Sequence, residues 1–191
     1  MPPSLVLASA SPRRRELLAM LGIEVEVRPS TLPEERGPGE APRAYAERLA
    51  REKALSVPGK LVLGADTIVL VDDDVLEKPR DQADALRMLR RLQGRSHRVI
   101  SSVALAAEGR VTQATDITTV TFRPCSDDFL RAYIATGEPM DKAGAYGIQG
   151  YGAALVERID GDFFGVMGLP IRLVLELLEG VGKPYRFRTE D

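Results

Sequence analysis

Arginines, lysines and a few oddly placed acids are the residues of this sequence whose types and spacing could do chemistry. The segment Ser9-Ala10-Ser11-Pro12 leads from a short apolar run into a helical pattern that opens with Arg13, Arg14 and Arg15. A helix N-terminus presents backbone N–H groups and the positive end of the helix dipole, so this loop outlines an anion site. Arg13 and Arg14 add forked cationic donors. The same dipole opposes three arginines, which must therefore have an anionic partner or splay into water. Asp66 lies in the apolar stretch 61–71, where an ionised carboxylate needs a partner or a purpose. It suits either a hydrogen-bonded structural acid or a catalytic group fixed by a strand. Lys53, near a helix end, and Lys78, in Glu77-Lys78-Pro79, would each be ordinary surface lysines alone. Taken with the arginines they suit a metal-bound triphosphate, because fixed cations and a divalent metal stabilise the charge that collects on a departing phosphate. Glu35 and Asp66 could hold that metal and position or deprotonate a water.

These residues need elements to position them. Residues 5–8 form an apolar run suited to a buried strand, and residues 13–21 have helical spacing, with Ser11 as a candidate cap and Pro12 at the first helical position. Gly22 supplies an exit before a strand over 23–28. Residues 29–41 are rich in Pro, Gly, Glu and Arg without a period and form a loop. A helix over 42–55 carries Tyr45, Leu49 and Ala50 on its apolar side. The stretch 61–71 is β-branched and apolar but interrupted by Gly64-Ala65-Asp66-Thr67, so that Asp66 directly follows a strand. A helix over 81–92 ends at Gly94, and strands over 97–107 and 111–122 are joined at Glu108-Gly109 as a hairpin. Ser126 opens a helix to about 136, with Asp127 and Asp128 in its first turn. Residues 137–152 are irregular and glycine-punctuated. Asp160-Gly161 then predicts a hairpin between 154–159 and 163–167, and a last helix covers 170–178.

Bulk properties exclude several classes. The 191 residues are 44% hydrophobic and 28% charged, a globular composition. A net charge of -2 provides no overall positive field to draw the chain onto nucleic acid or a lipid surface. One cysteine, Cys125, and one histidine, His97, make neither an internal disulfide nor a Cys/His zinc site. No export signal or spanning segment is visible, and the cytoplasm is the expected location. The phosphate-loop pattern GxxxxGK[ST] is missing, since Gly180-Val181-Gly182-Lys183 ends in Pro184. GxGxxG after a strand, HExxH and GxSxG are missing as well.

The succession SASPRR, the acid loop, AREKA, GADTIV, EKPRD and DKAGAYGIQG, in that order, resembles the Maf family of nucleotide pyrophosphatases over nearly the whole chain. The resemblance implies one Maf-type domain over residues 1–191. Its fold would be α/β, an extended mixed sheet flanked by helices in two lobes around a cleft, related to the inosine triphosphate pyrophosphatase fold. It implies cleavage of a nucleoside triphosphate to the monophosphate and pyrophosphate with Mg²⁺ or Mn²⁺, and a homodimer that binds neither nucleic acid nor membrane. By position, Asp66 looks like the catalytic base and a metal ligand, Glu35 its metal-binding companion, and Arg13, Arg14, Lys53 and Lys78 phosphate ligands, with Ser9 in the same substrate-binding loop. The proline-altered run Leu32-Pro33-Glu34-Glu35 leaves Glu34 as the alternative, and spacing favours Glu35. Arg13, Thr67 and Gln149 make the chain similar to the branch acting on dTTP and UTP. The amide of Gln149 offers an acceptor and a donor to N3–H and O4 of uracil or thymine. The branch preferring 7-methyl-GTP and a non-catalytic nucleotide- or nucleic-acid-binding module are the competing readings.

Overall fold

A computed structural model describes residues 5–187. The chain forms a seven-stranded mixed sheet with helices, the α/β architecture expected. The elements are β1 (Leu5–Leu7), α1 (Pro12–Met20), β2 (Val25–Val27), α2 (Pro42–Ser56), β3 (Leu61–Val71), β4 (Asp74–Leu76), α3 (Gln82–Leu92), β5 (Ser96–Ala107), β6 (Arg110–Phe122), α4 (Asp127–Ala135), β7 (Val156–Asp160), α5 (Phe163–Met167) and α6 (Ile171–Gly180). Three short 3-10 turns, Glu138–Asp141, Ala143–Ala145 and Gly150–Leu155, lie between α4 and β7. The strands lie in the order β2-β1-β3-β5-β6-β7, with β4 also pairing with β3.

The chain divides into two compact units. The first comprises Met1–Asp66, Ser101–Asp116 and Gly168–Asp191. In it β1 pairs in parallel with β2 and with β3, a geometry that requires a crossover, supplied here by α1 and α2. Gly22 makes the exit from α1 at φ 68°. Two small apolar clusters, Val6 with Ala8 and Val62, and Ala50 with Ala54 and Ala104, show how closely packed this unit is. A close approach occurs at Gly64, where a Cβ would stand 2.2 Å from the carbonyl oxygen of Ala50 and 2.5 Å from the backbone nitrogen of Ala54. Only glycine lets α2 lie so close to β3.

The second unit comprises Thr67–Ile100 and Ile117–Met167. Its core gathers Val69, Leu89, Leu92, Phe122, Leu130 and Tyr146 among others. Asp81 and Ser126 cap α3 and α4, accepting from the backbone N–H groups of Asp84 and Phe129, as their residue types favour.

Three expectations change. The stretch 61–71 is one uninterrupted strand, so Asp66 lies inside β3 rather than after it. Ser11 sits at the N-cap position of α1, but its side chain makes no cap hydrogen bond. The hairpin expected at Asp160-Gly161 does not form, because α5 follows β7 instead. Gly161, at φ 136°, passes so close to Thr118 that a Cβ would meet its hydroxyl at 2.3 Å. The Asp162 N–H then donates to Thr118 Oγ1 at 2.7 Å, while Asp162 Oδ1 accepts from the Gly165 N–H at 3.0 Å. That aspartate caps a helix start, which outweighs the local turn preference. Among the described residues no helix is long and apolar enough to cross a membrane.

Candidate active site

The first unit holds an ion cluster, a buried Lys53–Asp66 pair with the exposed Glu34 beside it. Lys53, on the last turn of α2, donates from Nζ to Asp66 Oδ1 at 2.8 Å and lies 2.8 Å from Glu34 Oε1. Lys53 and Asp66 are each 5% exposed. Desolvation pushes the Asp66 carboxyl above the usual carboxylate range, while the Lys53 ammonium, and then Arg14, oppose that rise. A strand-borne carboxylate with raised basicity beside a fixed cation is suited to taking a proton from water.

The loop 29–41 brings the Glu34 carboxylate to Lys53. The Tyr45 hydroxyl donates to the Glu34 carbonyl at 3.1 Å, and Arg48 Nη2 donates to the Glu35 carbonyl at 2.9 Å. Glu34 and Glu35 are both exposed, and the contact with Lys53 is what distinguishes Glu34. Arg48 also donates from Nε and Nη2 to the two carboxylate oxygens of Glu40, at 2.7 and 2.9 Å. This bidentate pair, with the Gly37 N–H, holds the Glu40 carboxyl down at about 2. The loop's phase is thus set by Arg48, Glu40 and Tyr45, of which the sequence pattern marks only Tyr45, and that as a core residue. An arginine eight residues after an acid across a loop–helix junction was the only available signal, and it is a weak one.

The Arg14 guanidinium is buried and engaged by protein. Nε donates to the Gly168 carbonyl at 2.8 Å, and Nη1 to Ser9 Oγ and the Ala65 carbonyl, both at 2.9 Å. Ser9 Oγ also accepts from the Ser11 N–H at 3.2 Å. Burial lowers the Arg14 pKa, while Asp66 and Glu34 raise it. Arg14 therefore ties the start of α1 to the peptide preceding Asp66. Arg13, beside it, is half-buried. The structure thus brings Ser9, Arg14, Lys53 and Asp66 together in the first unit and adds Glu34.

Thr67, Lys78 and Gln149 belong to the second unit. Thr67 is half-buried on β3 and Lys78 is exposed. Gln149 lies at the N-cap of the last 3-10 turn, and its Oε1 is buried with no hydrogen-bond partner in the protein. A buried acceptor in that state is costly unless a ligand satisfies it.

Among the described residues no three His, Cys, Asp or Glu side chains cluster as a metal site. Asp66 and Glu34 are two hard oxygen donors, and Mg²⁺ commonly takes one or two carboxylates and completes its shell with phosphate oxygens and water. The donor set fits a metal brought with a polyphosphate.

The family model described as Maf-like protein matches residues 4–181. The chain belongs to this family. It is 51% identical to a dTTP/UTP pyrophosphatase of Geobacter sulfurreducens, over 93% of this chain and 96% of that protein. A dTTP/UTP pyrophosphatase of Anaeromyxobacter dehalogenans is 50% identical, over 96% and 97%. One of Escherichia coli is 49% identical, over 92% and 91%.

Proposed function

We propose that this Maf-family chain hydrolyses dTTP and UTP to the nucleoside monophosphate and pyrophosphate with Mg²⁺ or Mn²⁺. The observation that carries the chemistry is the buried Asp66 carboxylate held by Lys53 beside Glu34. Asp66 takes a proton from water as the water oxygen bonds to the α-phosphorus. The bond from that phosphorus to the bridging oxygen breaks, and its electron pair leaves on pyrophosphate. Lys53 and Arg13 stabilise the charge that collects there, and Lys78 serves as a further phosphate ligand. Arg14 and Ser9 keep the loop and the Asp66 peptide in place. A divalent metal held by Asp66 and Glu34 would neutralise phosphate charge. In this reading the metal role expected of Glu35 passes to Glu34.

Gln149 reads the base: its orphaned Oε1 accepts from N3–H of uracil or thymine, and its amide N–H donates to O4. Thr67 belongs to the same substrate-binding set. The chain acts as one Maf-type domain, as a homodimer in the cytoplasm, in keeping with the family resemblance.

The test is pyrophosphate release from dTTP, UTP, CTP, the purine triphosphates and 7-methyl-GTP, with Mg²⁺, with Mn²⁺ and with chelator. Metal-dependent turnover favouring dTTP and UTP supports the reading. A preference for 7-methyl-GTP keeps the chemistry and removes the base assignment. Salt-sensitive nucleic-acid binding without turnover would replace both.

A further inference from the structure

The loop that carries Gln149 is wrapped around one carboxylate. Glu138 accepts from the Tyr151 N–H through Oε2 at 2.8 Å and from the Gly152 N–H through Oε1 at 2.9 Å. The hydroxyl of Tyr133, on α4, donates to Glu138 Oε1 at 2.9 Å and accepts from the Gly147 N–H at 3.2 Å. Burial and the neighbouring acid keep that phenol protonated, raising its pKa. Backbone on both sides of Gln149 is therefore fastened to a single Glu138–Tyr133 pair.

The glycines of the segment are explained by this wrapping. A Cβ at Gly150, whose φ is +78°, would stand 2.4 Å from Glu138 Oε2. A Cβ at Gly152 would stand 2.1 Å from the Gly147 carbonyl and 2.8 Å from the Tyr133 hydroxyl. The backbone can lie on the carboxylate only where side chains are missing. Lys142 Nζ, donating to the Glu138 carbonyl at 2.5 Å and to Asp141 Oδ1 at 2.6 Å, steadies the turn from which Glu138 projects.

We infer that Glu138 and Tyr133 are positioning residues for base selection: they hold the backbone on both sides of Gln149 and so fix where its amide is presented to the uracil or thymine edge. The inference rests on the reading of Gln149 given above. Cytosine presents the reverse donor and acceptor pattern at N3 and the 4-position, and an amide free to turn over would accept both bases equally. Discrimination needs the amide presented from a fixed place, and the hydrogen bonds at 147, 151 and 152 fix the backbone that carries it.

The experiment compares kcat and KM for dTTP, UTP and CTP in the wild-type protein, Glu138→Gln, Tyr133→Phe and Gln149→Ala, together with amide hydrogen exchange over residues 147–152. Glu138→Gln is expected to lower the dTTP-to-CTP ratio of kcat/KM by about tenfold, as the loss of a charge-assisted hydrogen bond implies. Most of that change should fall on KM. Tyr133→Phe, which keeps the ring and removes one hydroxyl, is expected to lower the ratio by about threefold and to speed exchange at Gly147. A wild-type ratio retained in both variants, while Gln149→Ala loses it, overturns the inference and leaves the reading of Gln149 intact. A ratio unchanged in Gln149→Ala overturns both. If Glu138→Gln does not fold, Tyr133→Phe and its exchange pattern decide alone: unchanged ratio and unchanged exchange overturn the inference.

Discussion

The charged cluster of the first unit and the glycine loop of the second are built on opposite principles. Around Asp66 the side chains carry the charge, and the backbone under them is a central strand and a long helix. At Gln149 the side chain is neutral, and the backbone itself is held, by a carboxylate and a phenol. A buried ion pair tolerates no missing partner, because the remaining charge is left in a poorly solvated place. A loop held by several neutral and charge-assisted hydrogen bonds degrades in steps. Substitutions should therefore act in an all-or-none way in the first region and in a graded way in the second.

The largest expected effect is at Asp66. Asp66→Asn keeps the shape and removes the proposed base, and should lower turnover by about 10²–10⁴-fold with an unchanged circular dichroism spectrum. Lys53→Met leaves the Asp66 carboxylate buried without its cation, and should cost about 3 kcal/mol in urea unfolding while also abolishing turnover. If Lys53→Met is as stable as the wild type, the contrast between the regions fails. A third test concerns His97, buried in the second unit, whose Nε2 lies 2.8 Å from the Tyr146 hydroxyl and whose Nδ1 has no protein partner. Burial, with a smaller contribution from Arg95, pushes its pKa from 6.5 down to about 4. The unfolded chain therefore binds a proton below pH 6.5 that the folded chain refuses until about pH 4, so stability is lost as pH falls through that window. Up to about 3 kcal/mol is at stake. His97→Gln should flatten the decline in melting temperature between pH 6.5 and 4. The smallest effect expected is at Gly150. Gly150→Ala should cost about 1–2 kcal/mol through its positive φ and the approach to Glu138, and should erode base preference while sparing chemistry.

Much of this architecture was legible in the sequence, for physical reasons that differ by element. Helix starts were readable at Asp81 and Ser126 because capping is a local contact, and the β5–β6 hairpin was readable because Glu108 and Gly109 both adopt positive φ, at 51° and 77°. Asp66 stood out because an acid in an apolar strand is anomalous. Its partners were harder: Lys53 was a candidate, but nothing in its spacing says that it reaches Asp66 rather than water. Glu34 and Glu35 differ by one position in an aperiodic loop whose phase depends on Arg48 and Tyr45, and such long-range bonds leave no period. The failed hairpin at Asp160-Gly161 has the same cause, since a contact with Thr118, more than forty positions earlier, decided the local conformation. The type and place of Arg14 were legible, whereas its burial and its bonds to Gly168, Ser9 and Ala65 are properties of the whole unit.

Gly64 carries no functional group, yet the 2.2 Å separation between its absent Cβ and the Ala50 carbonyl makes it the spacer that sets how far Lys53 stands from Asp66. In a saturation scan scored by activity, position 64 would be indistinguishable from the catalytic positions, and alanine, one methyl larger, would rank among the inactivating replacements. A side chain at position 64 would have to pry α2 off β3, and Lys53 would move with the helix.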